Sequence, residues 1–81
     1  MIVVTGAAGF IGSYLVGKLN KAGYKDLILV DKMDDPRKEL NLAFKKYRNF
    51  IDRDNFFKWL INHSSEVEFI FHLGACIDTV G

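Results

Sequence analysis

Eighty-one residues allow one small domain, and a chain this short buries only about 60% of its unfolded surface, so marginal stability is expected. A hydrophobic share of 49%, with seven Phe, three Tyr and one Trp, argues against disorder, and a net charge of +1 gives no electrostatic case for nucleic acid or an anionic membrane as partner. Cys76, the single cysteine, excludes an internal disulfide and suits a reducing compartment. No apolar run approaches the ~20 residues of a membrane span. The N-terminus lacks the basic start and cleavage site of a secretory leader, so the cytoplasm is the expected location.

Ile2-Val3-Val4-Thr5 is a β-branched run that ends at glycine and predicts a buried strand. Ile11, Leu15, Leu19 and Ala22 then recur at helical spacing, with Gly23 placed as a C-terminal stop. Leu27-Ile28-Leu29-Val30 is unbroken and apolar, as a strand covered on both faces requires, and it closes on Asp31. Residues 2–31 therefore read as one βαβ unit. Farther on, Asp35-Pro36 predicts the start of a helical turn, and a short third strand is expected within Tyr47 to Ile51. Asp52 reads as the cap of a helix with Phe56, Phe57, Leu60 and Ile61 on its buried side. Val67 to Leu73 predicts a fourth strand. The alternation points to an α/β fold: the N-terminal part of a Rossmann-type, doubly wound parallel sheet of about four strands with intervening helices.

Gly6, Gly9 and Gly12 form G-x-x-G-x-x-G after the first strand and at the opening of a helix. In that context the first glycine lets the chain turn, the second lets the backbone approach a pyrophosphate, and the third lets helix and sheet pack closely. The helix N-terminus offers N–H groups and a partial positive charge to the phosphates. Asp31 lies nineteen residues past Gly12, at the end of the second strand, where a carboxylate accepts hydrogen bonds from an adenosine ribose. The pattern predicts a dinucleotide site. Three glycines in a tight turn, with Asp31 a solvated strand end, is the plainer reading of the same residues.

"TGAAGFIG" resembles the signature of the extended short-chain dehydrogenase/reductases, and "FHLGA" from Phe71 to Ala75 resembles the turn that follows their fourth strand. "LILVDK", "NFIDRDNF" and "EFIFHLGACIDT" narrow the resemblance to a branch that epimerises a heptose nucleotide, a precursor of lipopolysaccharide. It spans essentially the whole chain. The resemblance implies a cytoplasmic, NADP-dependent sugar-nucleotide epimerase that assembles as a homo-oligomer and inverts a carbinol centre by transient oxidation. By matching position, Phe10 and Ile11 would lie against the pyrophosphate, and Asp31 and Lys32 would meet the adenosine ribose and its phosphate. Lys38 and Arg53 would add positive charge there, and Leu73, Gly74, Ala75, Cys76 and Ile77 would form the turn beneath the cofactor.

Residues and resemblance pull apart at one point. Asp31 favours NAD, because its charge repels a 2′-phosphate; the resemblance implies NADP, and Lys32, Lys38 and Arg53 form a compensating set. Any one of the three also reads as a solvated surface charge. NADP is expected, with NAD left open. Cys76 is expected to be a small buried thiol, His72 to pack at its strand end, His63 to lie on the surface and Trp59 to join the core.

The family's chemistry also needs a Tyr-x-x-x-Lys pair. Tyr14 and Lys18 fit the spacing, but they fall in the first helix beside the glycine loop and are rejected. No catalytic residue and no metal ligand is assigned. The chain thus reads as an N-terminal fragment, inactive alone, whose nucleotide-sugar substrate belongs to the full-length enzyme. The alternatives are another extended short-chain epimerase or dehydratase, and a non-catalytic dinucleotide-binding module. In a 3-2-1-4-5-6 strand order, stopping after the fourth strand exposes it as an edge, and marginal stability or association through that edge is expected.

Overall fold

Unbroken β-branched and leucine runs make the two central strands. In the computed structural model, which describes residues 1–73, β1 (Ile2–Thr5) and β2 (Leu27–Asp31) pair in parallel, and every residue of β2 is buried. Expectations for Gly74, Ala75, Cys76 and Ile77 lie outside the described residues. β3 (Asn49–Asp52) pairs with β2, and β4 (Phe69–His72) with β1, giving an all-parallel sheet ordered β3-β2-β1-β4. The connections run through α1 (Phe10–Lys21), α2 (Pro36–Leu42) and α3 (Phe56–His63).

The pleat divides the apolar residues between two cores. Val4, Leu27 and Leu29 join Val16 of α1 and Leu42 of α2 on one face; Val3, Ile28, Val30 and Ile51 join Met1 on the other, with Phe56 and Trp59 of α3 against them. Helices on both faces of a parallel sheet make this the doubly wound α/β architecture. No helix among the described residues is long and apolar enough to cross a membrane.

Helix ends follow their sequence signals. Gly23, at φ +97°, closes α1: its N–H donates to the Asn20 carbonyl at 3.0 Å, and that of Tyr24 to the Leu19 carbonyl at 2.9 Å. Asp35 caps α2 by accepting from the Arg37 N–H at 2.9 Å, with Pro36 in the first turn. Asp52 accepts from the Asp54 N–H and starts the short 3₁₀ turn Arg53–Asn55 that leads into α3.

Several expectations are corrected. Of the residues that recur at helical spacing in α1, Ile11 is 70% exposed, while Gly12, Ser13 and Val16 face inward. Close contact of Gly12 with the Gly6–Ala7 backbone sets the helix's rotation and turns Ile11 outward. In α3 it is Phe56 and Trp59 that pack against the sheet, whereas Phe57 and Ile61 are each 78% exposed. Five of the eight α3 residues are apolar and they share one broad face, wider than the strip the sheet covers, so periodicity finds the face and contact with the sheet decides which part of it is buried. His63 is half-buried rather than on the surface: its ring stacks on Trp59 at 4.6 Å, and its Nδ1 lies 2.8 Å from the Trp59 carbonyl. β4 is shorter than expected. Glu68 instead bonds Met1, accepting from the α-amino group at 2.6 Å.

Candidate functional site

The glycine loop leaves β1 at Gly6, whose φ of +69° is the left-handed region that glycine enters without a Cβ penalty. The Gly6 and Ala7 N–H groups both donate to the Val30 carbonyl, at 2.7 and 3.3 Å, which stitches the loop to the end of β2. A Cβ on Gly12 would stand 2.0 Å from the Gly6 oxygen and 2.8 Å from Ala7 Cα, so that glycine is demanded by the protein's own backbone. Gly9 differs. A Cβ there would come no closer than 3.5 Å to protein, an ordinary contact. Packing does not require this glycine, and its bare face suits a group approaching the loop from outside.

Gly9 is also the N-cap of α1, with extended backbone and no side-chain cap. The first N–H groups of the helix have no intrahelical acceptor, and no acidic residue competes in the first turn. Phe10 and Ile11 hold their side chains out in solvent, leaving the backbone of that turn to face an anion.

Ala8, fully buried, is held at both of its backbone groups. Its N–H donates to Asp31 Oδ2 at 2.9 Å, and its carbonyl accepts from Asn41 Nδ2 of α2 at 2.9 Å. The other Asp31 oxygen accepts from the Lys32 N–H at 2.6 Å and from Lys38 Nζ at 3.1 Å. Lys38 also reaches the Lys32 carbonyl at 2.9 Å and Asp34 Oδ1 at 2.9 Å. The Asp34 carboxylate, ahead of that of Asp31, raises the Lys38 ammonium above its ordinary range and is itself lowered by it. Asp31 is therefore a paired carboxylate, sharing the Lys38 ammonium with Asp34, and not an isolated negative charge.

A cleft of about 380 Å³ opens beside these residues, at the carboxyl ends of the strands. Thr5 bounds it from β1, Gly6 from the glycine loop, Asp31 from β2 and His72 from β4, with Arg53 and Phe56 along the α3 side. β1 is where chain order reverses in the sheet, since β2 lies on one side of it and β4 on the other. A crevice outside the strand ends at such a switch point is where doubly wound folds bind ligands.

The structure brings Gly6, Gly9, Gly12, Asp31, Lys32 and Lys38 together around the loop and sets Arg53 on the same cleft as Asp31. Leu73 follows β4, its N–H donating to the Thr5 carbonyl at 3.3 Å, and packs against the α1-side core. His72 stands at the end of β4, exposed, with Nδ1 2.8 Å from Thr5 Oγ1. Tyr14 and Lys18 do meet on α1, the ammonium 5.6 Å from the ring centroid, but neither lines the cleft. Asn41 went unread in the sequence. Its partner is 33 residues away, and no local pattern marks such a pair.

A family model described as the NAD dependent epimerase/dehydratase family matches residues 2–81. The chain belongs to this family. Two proteins named ADP-L-glycero-D-manno-heptose-6-epimerase are similar to it. That of Fusobacterium nucleatum subsp. nucleatum is 44% identical over 81 residues, covering 98% of this chain and 24% of that protein. The one from Brachyspira hyodysenteriae is 45% identical over 83 residues, covering 99% and 26%. The chain spans about a quarter of the length of these curated relatives. Membership of the epimerase/dehydratase family implies a nicotinamide dinucleotide as cofactor. The donor set fits one: bare glycine backbone and a helix N-terminus for the pyrophosphate, and a carboxylate at the end of β2 for a ribose.

Proposed function

We propose that this chain is the cofactor-binding part of an NADP-dependent sugar-nucleotide epimerase, acting on ADP-L-glycero-D-manno-heptose in the supply of lipopolysaccharide core precursor. The observation that carries the cofactor half is Gly9: its bare face lies at the N-terminus of α1, in a loop tied directly to Asp31. The substrate half rests on the names of the two relatives.

On this reading Gly6, Gly9 and Gly12 shape the loop, and the backbone of Phe10 and Ile11 meets the pyrophosphate. Asp31 and Lys32 bind the adenosine ribose. The pairing of Asp31 with Lys38 supports NADP over NAD, because it offsets part of the negative charge that a 2′-phosphate would otherwise meet. Arg53, across the cleft, adds a planar donor suited to that phosphate. When bound, the nicotinamide supplies transient oxidation and re-reduction of one carbinol carbon. The working form is a cytoplasmic homo-oligomer that takes a nucleotide sugar, with neither nucleic acid nor membrane as partner.

The outward placement of Tyr14 and Lys18 favours a second reading for these 81 residues, a dinucleotide-binding module without catalysis. Another epimerase or dehydratase substrate is the third. A fluorescence titration with NADPH and NADH tests the cofactor claim. Saturable binding of NADPH, about tenfold or more weaker for NADH, is expected from one charge-assisted phosphate contact. Binding of neither would confine the claim to the longer relatives.

A further inference from the structure

We propose that Asn41 is a positioning residue: from α2 it fixes the glycine loop at Ala8 and thereby sets the loop's affinity for a dinucleotide pyrophosphate. The inference rests on the dinucleotide reading above and adds a residue to it. Ala8 stands immediately before Gly9, the position whose bare face is offered to the phosphates. Its N–H is fixed by Asp31 and its carbonyl by Asn41, each at 2.9 Å. With both backbone groups held, the peptide planes on either side of Ala8 are pinned and Gly9 is presented in one orientation.

Asn41 lies three residues after Lys38, so both project from one face of α2. Lys38 holds Asp31, Asp31 holds the Ala8 N–H, and Asn41 returns to the Ala8 carbonyl. These contacts close a ring between α2, the end of β2 and the glycine loop. Lys38 stands at the ribose end of that ring, where NADP and NAD differ. Asn41 acts at the pyrophosphate end, which the two cofactors share. Their substitutions should therefore have different signatures.

Asn41→Leu removes the donor at nearly constant volume and adds no charge. It should weaken NADPH and NADH by the same factor, about three- to tenfold for one lost neutral hydrogen bond, and leave their ratio unchanged. Lys38→Ala should instead lower the ratio. Amide hydrogen exchange at Ala8 and Gly9 in the ligand-free chain should accelerate in Asn41→Leu, with exchange in α3 unchanged, and Asn41→Gln should restore part of both effects. Should Asn41→Leu fail to fold, Asn41→Ala serves for the same measurements. Unchanged cofactor affinity, unchanged loop exchange or an altered NADPH-to-NADH ratio would each overturn the proposal. If the parent chain binds neither cofactor, the dinucleotide reading fails by itself for these 81 residues. The exchange data then still decide whether Asn41 fixes the loop.

Discussion

Gly9 and Gly12 belong to the same motif and answer to different demands, which substitution separates. A Cβ on Gly12 would collide with backbone at 2.0 Å, and backbone cannot swing aside as a side chain can. Gly12→Ala should destabilise the chain by about 3 kcal/mol, the upper end for overpacking. Gly9 has φ −72° and ψ 174°, which alanine adopts freely, and the methyl would make only an ordinary contact, 3.5 Å from the Gly6 oxygen. In Gly9→Ala the poorer N-cap is offset by the smaller entropy of the unfolded chain, so stability should stay within about 1 kcal/mol. NADPH binding should nevertheless be lost, because the methyl occupies the face offered to the phosphates. Denaturant unfolding and cofactor titration of both variants check this. Loss of stability in Gly9→Ala, or unimpaired binding, would contradict it.

Among elements, α2 shows how much the sequence disclosed and where it stopped. Asp35-Pro36 announced its start, because a cap and a fixed φ are local properties. β2 was equally legible, since a strand buried on both faces must be apolar throughout. α3 was misread because its apolar face is broader than the strip the sheet covers, so only the sheet could choose Phe56 and Trp59 over Phe57 and Ile61. The Asn41 clamp and the Thr5–His72 contact were invisible for a related reason: they join residues 33 and 67 positions apart. The start of α2 also carries a pH dependence. Arg37, through its guanidinium and then its backbone N–H, lowers the Asp35 carboxyl from its ordinary 3.8 to about 2. The contribution of this cap is therefore complete above 3.8 and is lost as pH falls from there through about 2. Amide resonances of Arg37 and Lys38 should move across that window, and Asp35→Asn should remove this component while keeping a neutral cap. A midpoint at the ordinary aspartate value would show that Arg37 does not hold the carboxylate in solution.

For the whole molecule the decisive feature is the β4 edge. β4 pairs with β1 through Ile2↔Phe69 to Thr5↔His72, and its outer side has no partner strand among the described residues. Phe69 is 56% exposed on the α1 side and Ile70 40% exposed on the α3 side, so apolar surface accompanies unpaired backbone on both faces. An edge of this kind is a template for another strand, and a small domain has little other apolar burial to compete with that gain. We expect the chain to self-associate through β4, with a melting temperature that rises with protein concentration. Phe69→Lys places a charge on the edge, the common device against strand pairing. It should shift sedimentation toward monomer and flatten the concentration dependence. Monomeric sedimentation and a concentration-independent melting temperature in the parent chain would refute the expectation. Association that survives Phe69→Lys unchanged would move the contact away from β4, leaving exposed Phe57 and Ile61 of α3 as the next surface to test.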